Sequence, residues 1–135
     1  MAHTQAVCTS FKGELLSGIH NFEQGSGGGT TTTTGTGNTF KIALYTSSST
    51  MSASTTAYTS TNEVSGTNYS ATGNSLTNVD PSTSGTTALT DFADSTWSDA
   101  SLTANGALIF NSSTVAGTAN RAVVVLAFGG DKTST

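Results

Sequence analysis

Residues 121–128 place three β-branched residues in unbroken succession, Val123, Val124 and Val125, followed by Leu126, Ala127 and Phe128. Such side chains lose rotamer freedom against the preceding turn of a helix and pack well on a pleated surface, so the run predicts a strand. It does not alternate apolar with polar, which predicts a central strand covered on both faces. The apolar run before it, residues 106–111 with Leu108, Ile109 and Phe110, is separated from it by small polar residues that include Gly117 and Asn120. That pattern predicts an antiparallel hairpin with a longish loop.

A chain of 135 residues suits one domain, and at this size folding hides roughly two thirds of the unfolded surface. Thr and Ser dominate while only 9% of residues are charged. Thr packs on sheets, and Ser and Gly compete with the helical backbone, so the composition is an all-β one. Turn signals recur about every ten residues, and the expected fold is an antiparallel β-sandwich or jelly roll of about seven or eight strands with a short N-terminal helix. The first core strand is expected over residues 39–45, with Phe40, Ile42 and Leu44 on one face. Further strands are expected at 86–92, 96–97 and 101–104, a hairpin turn at 71–74, and a polar bend at Asp80-Pro81.

The charge balance excludes several function classes. The net charge is −4, and four basic residues, Lys12, Lys41, Arg121 and Lys132, cannot neutralise a run of phosphates, so nucleic acid is not an expected partner. No apolar run approaches the ~20 residues a membrane helix needs. The N-terminus lacks a basic region and an apolar stretch, which argues against export and for synthesis in the cytoplasm. The single cysteine, Cys8, cannot form an intramolecular disulfide.

Near the N-terminus Phe11, Leu15, Leu16, Ile19 and Phe22 recur at helical spacing, with Ser10 as N-cap and Glu14 near the positive end of the dipole. The pattern predicts an amphipathic helix over 10–21, weakened by Gly13 and Gly18 by up to ~1 kcal/mol each. A helix this weak depends on packing its stripe, either on its own sheet or on a neighbouring subunit. These five residues are the candidate partner-binding set. The chain divides into an N-terminal arm (1–24), a Gly/Thr-rich linker expected to be mobile or extended (25–38) and a β-sandwich domain (39–135).

Candidates for chemistry are few. His3 and His20 have no second ligand at metal-binding spacing, and Cys8 has no base nearby in sequence. Asp91, Asp94 and Asp99 are a weak candidate for calcium, since hard oxygen ligands suit it, but their spacing does not follow the EF-hand and ordinary turn chemistry explains them. Trp97 with Tyr45, Tyr58 and Tyr69 could line a sugar-binding face, against the commoner reading of core or interface. Asn68 and Asn111 begin glycosylation sequons, which mean little without export. No catalytic arrangement can be assembled, so a non-enzyme without cofactors is expected.

Residues 8–22, 39–48, Ala57-Tyr-Thr-Ser-Thr-Asn-Glu-Val-Ser-Gly66, Asp91-Phe-Ala-Asp-Ser-Thr-Trp97, Gly106-Ala-Leu-Ile-Phe-Asn111 and 122–132 together resemble a family of small tailed-bacteriophage proteins common in marine phages. Most members carry no settled function and are described as structural. The resemblance implies a virion component, expected to be a capsid decoration or cement protein that binds the major capsid protein or other virion subunits as a homo-oligomer. A tail-fibre or adhesion module binding host glycan through Trp97, Tyr58 and Tyr69 is the alternative, and a self-assembling filament subunit a third. The linker at 25–38 is longer than the family's usual join, and relatives continue past residues 130–133 with another strand. The sheet is accordingly expected to keep an open edge available for contact.

Overall fold

The computed structural model describes residues 3–24 and 37–135. In chain order the elements are β1 (Ala6–Val7), α1 (Thr9–Leu16), β2 (Phe40–Tyr45), β3 (Asn74–Ser75), β4 (Asn78–Ser84), β5 (Thr87–Phe92), β6 (Leu102–Asn111) and β7 (Arg121–Ser134). The fold is all-β and antiparallel with one short N-terminal helix, as composition predicts. Five strands form one sheet in the order β1-β7-β6-β2-β3, and β4 with β5 forms a separate two-stranded hairpin. Apart from Gly37 and Asn38, the linker expected at 25–38 lies outside the described residues.

The β-branched run lies in β7 and pairs antiparallel with β6, the middle strand. The connection, residues 112–120, is the longish loop the pattern predicts, closed at its tip by a tight turn. Val115 and Thr118 exchange both backbone hydrogen bonds, at 3.0 and 3.1 Å, around Ala116 (φ 49°) and Gly117 (φ 77°). Two central residues with positive φ make the turn whose twist matches that of the flanking strands. At the other end the strand expected at 101–104 merges into β6, and β7 runs on to Ser134. A register shift lies between Ala104↔Lys132 and Gly106↔Ala127, and Asn105 spans it by donating to Asp131 Oδ1 at 2.7 Å. The short strand expected at 96–97 is irregular backbone.

Cross-strand register separates the two faces of the sheet. Ala43 opposes Leu108, which opposes Val125, and on this face Cys8 and Met51 complete a buried cluster with Tyr45 and Phe110. Leu44–Ala107–Leu126 and Ile42–Ile109–Val124 lie on the other face. That face is covered at one end by Val64, Tyr69 and Trp97, and at the other by Phe22, Leu76 and Phe92. The sheet is therefore enclosed largely by irregular segments, which suits a chain rich in Ser, Thr and Gly.

The arm folds onto its own domain. Ala6 and Val7 pair with Val125 and Val124, and Cys8 N–H bonds the carbonyl of Val123 at 2.9 Å. The helix spans Thr9–Leu16, shorter than the expected 10–21, and its N-cap is Cys8 without a side-chain bond. Gly18 (φ 70°) ends it: Ile19 N–H bonds Glu14 O and Gly18 N–H bonds Leu15 O, the paired bonds of a left-handed C-terminal cap. Residues after the cap turn back toward the sheet, and the Phe22 ring stacks on Phe40 at 4.4 Å.

β4 and β5 pair from Asn78↔Phe92 to Ser84↔Thr87. Pro81, expected in a bend, lies in a strand at the register shift between Val79 and Ser82, where a missing N–H breaks no ladder bond. Beyond buried Asn78 every residue of β4 is exposed, and so is β5 up to Asp91.

Candidate functional site

The five residues of the expected docking stripe do not share one surface. Phe22 is only 8% exposed and belongs to the core with Phe40, while Phe11 bridges two core clusters. Ile19 is half-buried beyond the helix cap. Leu15 and Leu16 point outward, 46% and 91% exposed. The glycine cap explains the split, because it stops the helical period before Ile19 and Phe22 can continue the stripe.

What remains open is a groove between the arm and the β4–β5 hairpin. Phe11, Leu15, His20 and Phe22 line one wall and Pro81 and Leu89 the other, enclosing about 630 Å³. A smaller hollow of about 300 Å³ on the hairpin is lined by Val79, Asp80, Ser82 and Asp91, and it shares Leu89 and Thr90 with the groove. Leu89 and Val79, at 48% and 42%, join Leu15 and Leu16 among the exposed large apolar side chains. A two-stranded hairpin is marginal by itself, and this one is held at its root. Asn78 Nδ2 donates to the carbonyls of Glu23 and Asn38, Gln24 N–H donates to Asp80 Oδ1, and Phe92 packs against the stacked pair Phe22 and Phe40.

Beneath the groove lies a polar network that joins the arm to the sheet. Glu14 accepts from His20 Nε2 at 2.8 Å and from Arg121 at 2.7 Å. Asn111 Oδ1 accepts from Ser113 N–H, which orients its amide so that Nδ2 faces Asn38 Oδ1 at 2.9 Å and His20 Nδ1 at 3.1 Å. With a donor facing Nδ1, the imidazole carries its proton on Nε2 and is neutral. The His20 side chain is fully buried. Burial acts to raise the Glu14 carboxyl pKa, but the hydrogen bonds from His20 and Arg121, with the guanidinium charge, outweigh it and hold the group below its ordinary value. The pair has the parts of an acid–base dyad, yet Asn111 occupies the nitrogen that would have to take a substrate proton. Burial and the nearby Glu14 push the Cys8 thiol up, away from the thiolate a nucleophile needs.

The aromatic residues that could line a sugar face are engaged internally. Tyr58 stacks on Phe110 at 4.7 Å, while Tyr69 lies against Trp97 at 5.9 Å on the opposite face of the sheet. Their hydroxyls converge on Glu63, which accepts from Tyr58 at 2.6 Å, Tyr69 at 2.7 Å and Thr72 N–H at 2.8 Å. Tyr69 Oη also accepts Leu44 N–H, so the hub caps the part of β2 that extends past its pairing with β3. Burial, reinforced by Glu63, pushes Tyr58 up to about 12, and burial likewise raises Tyr45 and Tyr69.

Asp91 sits on β5 and accepts from the next backbone N–H, and Asp99 occupies a turn at φ 53°. Neither they nor Asp94 join a group that could hold a metal ion among the described residues. His3 lies over Gly106 and bonds Thr46 O. Asn111 is fully buried, which removes the second sequon from the surface. Sequence reasoning missed Asn38, Asn78, Pro81 and Leu89, although an unalternated Val79 and Leu89 in a Thr/Ser background was a usable signal of an exposed apolar patch. No helix among the described residues is long and apolar enough to cross a membrane. Fold and groove define an all-β domain with an apolar cleft between its N-terminal arm and a protruding hairpin. Comparison with protein-family models, curated proteins and solved structures finds no match.

Proposed function

We propose that the chain is a non-enzymatic structural component of a tailed-phage particle, a decoration or cement protein whose arm–hairpin groove receives a neighbouring virion subunit. The observation that carries this is the β4–β5 hairpin. It forms a sheet of its own, presents Leu89 and Val79 to solvent, and faces the half-exposed Leu15 across the groove. Contiguous exposed apolar surface rimmed by polar residues marks an interaction site. The polar clusters that could have supported chemistry are consumed in holding the arm and the edge of β2. The resemblance of the sequence blocks to small phage structural proteins supplies the context. Arrayed with the symmetry of a shell, many modest contacts of this kind multiply into a stable assembly.

The test is incorporation. Particles purified from the phage encoding this chain are expected to carry it at a copy number comparable to the shell subunit. The double variant Leu15→Asp with Leu89→Asp, which charges both walls of the groove at exposed positions, is expected to fold but to be missing from particles. Normal incorporation of that variant would remove the groove as the docking site, and complete absence of the wild-type chain from particles would remove the virion reading.

A further inference from the structure

We infer that the groove takes an extended segment of a partner protein in which aliphatic or aromatic anchors are flanked by lysine or arginine. This rests on the docking reading above and specifies the chemistry of the partner. The charged side chains lining the groove and the adjoining hollow are all carboxylates, Glu23 in the first and Asp80 and Asp91 in the second. His20, the remaining titratable group there, is neutral by its hydrogen bonding. None of the four basic residues lines either concavity: Arg121 is bound to Glu14, Lys41 to Thr72, and Lys12 and Lys132 lie elsewhere.

Two carboxylates, Asp80 and Asp91, lie together near the root of the exposed hairpin, beside and opposite Val79, on the root side of Leu89. Among the described residues, Asp80 and Asp91 each accept one backbone N–H through Oδ1, from Gln24 and Phe92 respectively. Such a rim attracts cationic flanks and repels acidic ones, acting on encounter rate and specificity more than on raw affinity. The anchors themselves would fill a cleft whose volume is in the range of specific ligand sites. An extended segment fits because Ala88, Leu89 and Thr90 of β5 line the groove, and among the named strands β5 pairs only with β4. Among the described residues no strand pairs with its other edge, the geometry that strand addition uses.

The experiment uses the full chain and two labelled peptides, each with alternating valine and leucine anchors, one flanked by lysines and one by glutamates. Anisotropy titration is expected to show the lysine-flanked peptide binding at least ~10-fold more tightly, with the advantage shrinking as salt rises. Asp80→Asn with Asp91→Asn should equalise the two peptides, and Leu89→Asp should abolish binding of both. Equal affinity for both peptides, or no binding of either by a chain that still enters particles, would overturn the basic-partner inference and leave the docking reading standing. Undiminished binding of the lysine-flanked peptide to Leu89→Asp would sink both. Self-association in sedimentation velocity that Leu89→Asp removes would assign the groove to a second copy of the chain and overturn the inference.

Discussion

The amide of Asn111 donates to Nδ1 of His20 across 3.1 Å, joining the middle strand of the sheet to a residue 91 positions earlier in the chain. The arm is thereby fastened through a neutral imidazole, with Glu14 and Arg121 closing the far side. Removing one partner leaves a buried polar group unsatisfied, which costs about 1–3 kcal/mol. Asn111→Ala and His20→Ala should each destabilise the protein by about this amount in urea unfolding. Coupling in the double mutant is expected, because both belong to one network.

Acidification should unfasten the same network. The Glu14 carboxyl is held below its ordinary value of 4.5. A group with a lowered folded pKa contributes stability that is present above the unfolded value and lost as pH falls through the folded one. Unfolding free energy should therefore decline as pH drops below about 4.5, and Glu14→Gln should flatten that decline. An unchanged slope in the variant would remove Glu14 as its source.

Phe22 and Leu16 were equivalent members of one stripe in the sequence and should now separate. Phe22→Ala empties a stacked position in the core and is expected to cost about 3–5 kcal/mol. Leu16→Ala should change stability by no more than about 0.5 kcal/mol, as befits an exposed side chain. Thermal unfolding of the two variants decides between a core role and a surface role at each position.

Glu63 gathers two tyrosine hydroxyls and a backbone N–H, and Glu63→Gln replaces one acceptor oxygen by a donor. The variant should lose about 1–3 kcal/mol, and the ultraviolet titration of Tyr58 should fall from about 12 toward 10. Because the folded pKa of Tyr58 is raised, its contribution is complete below pH 10 and lost as pH climbs through about 12. Wild-type protein should weaken across that alkaline window, and the variant less so.

How much of this was legible in the sequence follows from how local each signal is. Val123, Val124 and Val125 mark their strand by residue type alone, and the alternation of Phe40, Ile42 and Leu44 marks β2. The end of α1 was written in Gly18, but as a cap with Ile19 behind it rather than as a weak point inside a longer helix. Pro81 argued against a strand because it lacks an N–H, and only the register shift that removes the need for one makes β4 possible. Asn38, Asn78 and Asn111 are far apart in sequence and carry no local pattern, yet they set the root of the hairpin and the arm. The groove was not legible for that reason: its walls come from segments that periodicity cannot place relative to each other.

The most direct measurement is a density map of the intact particle at side-chain resolution. The chain should be found on the shell with Leu15, Leu16 and Leu89 covered by a neighbouring subunit that sets an apolar segment between the arm and the β4–β5 hairpin. A chain bound to the particle by another surface, with those leucines in solvent, would contradict the account.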